Sequence, residues 1–202
     1  MALKYHGFIG MNEFDLLAAR HYDDTVLGLG GGLDVGGAVV RGDLTWIDTD
    51  TRSVFSAVAS LSYSWTWGGK NVSGVLEYYY NGFGQADSAY SGAELAANPD
   101  LLRRIARSEL FTLARHYAAA SAMIEVTPLF RLTPNLFVNL EDPSALVQVV
   151  AQYDWRQNLQ VLAALNIPAG SGGTEYGGIE TPIDGLYFST DASLFAQLAW
   201  YF

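Results

Sequence analysis

Most of the chain alternates apolar and polar residues with period two, the pattern of a strand whose two faces meet different surroundings. In Ser53–Trp67 one parity reads Phe55, Ala57, Ala59, Leu61, Tyr63, Trp65 and Trp67, and the other Val54, Ser56, Val58, Ser60, Ser62, Ser64 and Thr66. Residues 71–82 set Val72, Leu76, Tyr78 and Tyr80 against Ser73, Glu77, Tyr79 and Asn81. The end of the chain sets Leu194, Ala196, Leu198, Trp200 and Phe202 against Ser193, Phe195, Gln197 and Tyr201. This periodicity predicts eleven strands, at about 3–10, 14–23, 25–35, 38–48, 53–67, 71–84, 110–126, 129–141, 145–155, 158–168 and 186–202.

Several of these exceed the roughly 5–6 residues usual in soluble sheets. They match the roughly 9–11 residues a tilted strand needs to cross a bilayer. A soluble sandwich also alternates, but its strands are shorter and its outer faces hold far more Lys and Glu. Short turns follow Trp67 and Trp155, on the rim where the chain ends. The long connections, 85–109 and 169–185, fall on the opposite rim with 48–52 and 141–144. Short turns below and long loops above form the pattern of an outer-membrane barrel. Residues 1–202 then make one barrel domain, with 85–109 and 169–185 as extracellular loops.

The aromatic residues sort by height in the same way. Trp65, Trp67, Tyr153, Trp155, Trp200 and Phe202 have outward parity at the lower rim; Trp46, Tyr78 and Tyr80 sit outward near the upper one. Amphipathic rings gather at these two depths in membrane barrels. The expectation is an all-β fold: a transmembrane antiparallel up-and-down β-barrel of about ten to twelve strands.

Composition narrows the partners. The 202 residues carry a formal charge of −10, with Lys4 and Lys70 the only lysines, which argues against nucleic acid. There is no cysteine, hence no disulfide and no thiolate metal site. No run approaches the roughly 18 apolar residues of a membrane-spanning helix. The opening MALKYHGFIG lacks an apolar h-region and a cleavage site. A cytoplasmic protein, a mature form and a piece of a longer chain all fit that opening.

Phe202 with Trp200, Leu198, Ala196 and Leu194 before it resembles the C-terminal strand of bacterial outer-membrane β-barrel proteins, a porin-like superfamily. The resemblance implies a Gram-negative outer membrane as location and periplasmic transit. It also implies recognition of the last strand by the barrel assembly machinery, and contact with outer-membrane lipid and lipopolysaccharide. It identifies no subfamily. Single-chain bacterial barrels have an even number of strands. Eleven therefore leaves three readings: the first segment is not a full strand, a strand is missed, or the chain is the C-terminal part of a larger barrel.

Inward parity gathers Arg41, Asp43, Glu77, Arg115, Glu125, Arg131, Gln148, Gln152, Asp154 and Gln197. Two readings follow. These groups bridge one another and fill a narrow closed barrel, or they line a conduit for small polar solutes. In the long loop, Ser91 to Glu94 fits a capping box, and Asn98 with Pro99 opens a short helix. Arg103, Arg104 and Arg107 fall near one face of that helix, as a constriction favouring anions, as a dock for lipopolysaccharide phosphates, or as a solvated cap. The histidines are His6, His21 and His116, with no metal-ligand spacing. His21 lies beside Asp23 and Asp24 but adjoins no serine in a nucleophile setting. No catalytic residue, metal or cofactor is expected. The glycines of GLGGGLDVGG run through a strand, where they relieve crowding in a curved sheet. The function expected on these grounds is a porin-like channel for small polar solutes; the alternative is a closed structural or surface-binding barrel that contacts lipopolysaccharide or a partner through its loops.

Overall fold

In the computed structural model the chain is described except at positions 89, 184 and 190. Period-two alternation produces β1 (Ala2–Ile9), β2 (Asn12–His21), β3 (Asp24–Val35), β4 (Ala38–Asp48), β5 (Ser53–Trp67) and β6 (Lys70–Tyr80). Two short helices follow, α1 (Gly92–Ala96) and α2 (Pro99–Ala106). Then come β7 (His116–Thr127), β8 (Phe130–Asn139), β9 (Ser144–Arg156) and β10 (Leu159–Ala169). A hairpin of β11 (Ile179–Glu180) and β12 (Tyr187–Phe188) precedes β13 (Ser193–Trp200). β1 to β10 and β13 pair in chain order as one antiparallel, up-and-down sheet of eleven strands.

Connections sort by rim. Residues 10–11, 36–37, 68–69, 128–129 and 157–158 turn the chain on one rim, here the turn rim. The other, the loop rim, carries 22–23, 49–52 and 140–143 and the two long loops, 81–115 and 170–192.

The register assigns every strand residue to one of two faces. A row across the first six strands runs Tyr5, Leu16, Leu29, Leu44, Ala57 and Tyr80. Farther along, Leu76, Ala120, Leu136, Val147 and Ile167 line up, as do Phe130, Tyr153, Val161 and Leu198. On the opposite face Glu13, Gly32, Arg41, Ser60 and Glu77 form a row. No second layer covers the apolar face: Leu29 is 55% exposed, Leu76 58% and Leu198 64%. Most of the buried side chains, among them Phe83, Tyr90, Leu101 and Tyr117, lie instead where the long loops meet the loop rim; Val72, near the turn rim, is an exception.

Four expectations are corrected. The sheet is not closed: among the described residues no ladder joins β1 to β13. Both strands run from the loop rim to the turn rim, so they point the same way and have no antiparallel pairing to make. The strand expected over 110–126 begins at His116. Residues 110–115 bond to the loop instead, with Asn81 N donating to Arg115 O (2.7 Å) and Gln85 N to Leu113 O (2.7 Å). The strand expected to reach 84 ends at Tyr80, because Gly84 packs backbone to backbone; a Cβ there would fall 2.0 Å from Ala114 O. Tyr187–Phe188 pairs with Ile179–Glu180, so the last long strand starts at Ser193. The capping box of Ser91 and Glu94 is present, and Asn98 caps α2 with Pro99 inside its first turn.

Candidate functional site

The polar face holds most of the strand-borne charge. Arg41, Asp43, Glu77, Glu125, Arg131, Gln148, Gln152, Asp154 and Gln197 all share it. Arg115 does not belong to this set: it lies in the loop and its Nε donates to Gly84 O at 3.0 Å. Lys4 pairs with Asp15 at 3.0 Å, Arg41 with Glu13 at 3.2 Å and Arg131 with Asp154 at 3.8 Å. Asn71 Nδ2 donates to Glu125 at 2.8 Å. A polar ladder crosses four strands: Asn135 Nδ2 donates to Gln148, Gln148 Nε2 to Asn166, and Asn166 Nδ2 to Ser193. Among the described residues Asp43, Glu77 and Glu125 have no ion-pair partner, which leaves the face net negative. Gly30 makes room for this arrangement, since a Cβ there would fall 2.2 Å from Asp43 Oδ1.

Both long loops cover the loop-rim end of this face. Loop 81–115 is held by Arg104, whose Nη2 donates to Asp24 (2.6 Å) and Nη1 to Glu109 (2.8 Å) while its guanidinium lies 3.9 Å over the Phe83 ring. Arg104 is therefore a buried clamp between the loop and the start of β3. Arg103 sits 3.7 Å from Asp100, and Arg107 sits 3.8 Å from Glu109 and 4.1 Å over the Tyr22 ring. Each arginine has an acid beside it, so the three make no open basic patch. His21 faces Glu109 at 3.3 Å, not its sequence neighbours Asp23 and Asp24.

Loop 170–192 is pinned by Glu175, a residue the sequence did not single out. Its carboxylate accepts from Tyr117 Oη (2.6 Å), Asn139 Nδ2 (2.7 Å) and Leu113 N (2.9 Å). Its own N donates to Asp142 (2.9 Å), and Asp142 also accepts from Ser144 Oγ. Asn139 Nδ2 also lies 2.8 Å from Tyr90 Oη. Burial pushes the Glu175 carboxyl above its ordinary value, helped by the Asp142 charge and opposed by those three hydrogen bonds. Burial likewise pushes Tyr176 up to about 12 and raises Tyr90.

Between loop 81–115 and the sheet lies a cavity of about 520 Å³. On the sheet side Leu17 and Ala19 of β2, Val26 of β3 and Ile47 of β4 line it together with Thr45, Ser56 and Tyr79; Met1, Arg20 and His21 also line it.

The aromatic residues stand at the two ends of the apolar face. Trp46, Tyr78 and Tyr80 lie near the loop rim; Trp65, Trp67, Trp155 and Trp200 lie near the turn rim, with Phe202 just beyond β13. No family model, no curated protein and no solved structure matches the chain.

Proposed function

We propose that the chain is an integral outer-membrane protein of the β-barrel type whose polar face lines a passage for small polar solutes. One observation supports this most: the sorting of residues between the two faces of the eleven-stranded sheet. In water, the uncovered apolar face would far exceed the few hundred Å² that soluble monomers tolerate. In hydrocarbon it is the favourable surface; the ladders take up the backbone polar groups inside the sheet, and the outer edges of β1 and β13 need further strands or a partner to pair theirs. The aromatic rings at both ends of that face fit the depths of the two membrane interfaces.

On this reading the loop rim is extracellular, the turn rim periplasmic, and β13 the strand offered to the barrel assembly machinery. Asp43 and Glu77, without cationic partners, favour the passage of cations over anions. The test is reconstitution in planar bilayers. Stepwise current with cation preference is expected, and a flat trace across repeated insertions would sink the passage.

A second reading draws on the two loops packed over the polar face. It is a structural or surface-binding barrel whose loops contact lipopolysaccharide or a partner. That reading expects no current steps together with retention on immobilised lipopolysaccharide.

A further inference from the structure

The polar face carries most of the strand-borne charge, yet three aromatic side chains stand together on it, on β6, β7 and β8. Tyr79 pairs with Tyr117 in one row, and the next row toward the turn rim runs Glu77, Ala119 and Phe137. Side chains opposite one another in such a row are about 4.5–5.5 Å apart at Cβ, so the single methyl of Ala119 leaves a hollow between Glu77 and Phe137. Tyr176, from loop 170–192, reaches the same hollow. Glu77 and these four rings line a cavity of about 150 Å³, with Thr112, Ala118 and Ala119 completing the lining. The Tyr79 and Tyr117 rings lie 6.2 Å apart and near parallel, at 27°. Tyr117, only 6% exposed, backs that wall, and its Oη donates to Glu175 at 2.6 Å, which fixes the ring.

Glu77 is exposed, and among the described residues it has neither an ion-pair nor a hydrogen-bond partner. Arg41, two strands away in the same row, pairs with Glu13 on its far side. Arg115, two residues before Tyr117, is held by Gly84 O at 3.0 Å, and no Lys, Arg or His among the described residues lines the cavity. A carboxylate and several aromatic rings around one hollow attract a cation, since the face of each ring carries the negative part of its quadrupole. Size and hydration then select the cation. The volume is below the roughly 300–1,000 Å³ of drug-sized sites and matches a group about as large as a benzene ring. A primary ammonium brings three hydrogens that each need an acceptor and is strongly hydrated. A trimethylammonium group brings none, and its methyls suit ring surfaces.

We propose that this cavity holds the trimethylammonium group of a choline-like solute or headgroup. Its methyls lie against Tyr79, Phe137 and Tyr176, and its charge faces Glu77. The site shares Glu77 with the proposed passage but not its premise, because occupancy is read at equilibrium and without any measurement of current.

The test is saturation-transfer NMR on the purified protein in dodecyl maltoside micelles, which carry neither charge nor a trimethylammonium group, with empty micelles as the blank. The probes are choline, its neutral carbon isostere 3,3-dimethylbutan-1-ol, and glycerophosphocholine. Saturable transfer to the choline methyls is expected, with the isostere roughly fivefold weaker. Glu77→Gln and Tyr176→Leu should each weaken choline roughly threefold or more, whereas Glu125→Gln, an acid of the same face outside the cavity, should not. Phe137→Leu stands in should Tyr176→Leu lose the wild-type circular dichroism. Glycerophosphocholine binding tighter than choline assigns the group to a lipid head and weaker binding assigns it to a free solute; both orders support the site. Choline bound no better than its isostere, weakened equally by Glu77→Gln and Glu125→Gln, or not saturable at all would overturn the proposal.

Discussion

Removing Arg104 would leave the buried carboxylates of Asp24 and Glu109 without their shared cation. Breaking a buried pair this way costs roughly 3–5 kcal/mol, because the stranded charge stays out of water. Arg104→Ala should therefore release loop 81–115 while leaving the strands in place. Limited proteolysis should cut within 98–110 at least tenfold faster, with the far-ultraviolet spectrum unchanged.

Glu175 gives a pH-dependent counterpart. Its carboxyl is raised above the ordinary 4.5 in the folded protein, so the folded loop holds a proton more tightly than the unfolded one. The contribution to stability is then full below 4.5 and is lost as pH rises through the raised value. Amide protection factors over 171–178 should be higher at pH 5 than at pH 8. Glu175→Gln, neutral throughout, should flatten that difference; an unchanged slope would mean another group controls the loop. None of this was legible in the sequence. Glu175 stands among Gly, Ser and Thr, and its partner Tyr117 lies 58 positions away.

The elements themselves were largely legible, because a strand with two unlike faces writes its period directly into the sequence. Ser53–Trp67 was readable to the residue. Caps were equally local, since Asn98 and Pro99 need only their own neighbours to start α2. Asn98 also donates to Phe83 O and Gln85 Oε1, both at 2.9 Å, so the cap doubles as a tether. Asn98→Ala should cost about 1–2 kcal/mol, with faster proteolysis of the helix than in a control such as Leu102→Ala. Segment 110–115 misled because the largely apolar run Leu110, Phe111, Thr112, Leu113 leads directly into the strand that starts at His116. The choice between ladder and loop was made by Gln85 and Asn81, far back in the chain. The apolar part of the lining under loop 81–115 did leave a trace in the run of Leu16, Leu17, Ala18 and Ala19, and again in Trp46 with Ile47. There both parities are apolar, so two apolar surroundings were implied, one on each side of the sheet.

At the scale of the molecule, the proposed membrane setting rests on the apolar face. Leu44 stands in the middle of β4 on that face, and Ser60 is on the polar one. Leu44→Arg should destabilise the protein in vesicles by about 2–4 kcal/mol, the cost of a cation near the bilayer midplane, with Ser60→Arg nearly neutral. Urea unfolding followed by tryptophan fluorescence reads both. Equal effects would argue that the faces meet the same medium. If the polar face lines the proposed passage, Glu77→Gln should lower the cation-to-anion permeability ratio without abolishing current.

The two edge strands carry a message about assembly. Copies standing the same way up in one membrane are related by a turn about the membrane normal, and such a turn preserves strand direction. A neighbouring copy therefore meets β1 with β13 in parallel, unlike any ladder within the eleven-stranded sheet. An odd number of strands rising from the turn rim would instead continue the antiparallel weave across the gap. Strand direction thus biases the seam: a complementary strand continues the antiparallel ladder, whereas a twin offers only the slightly weaker parallel one.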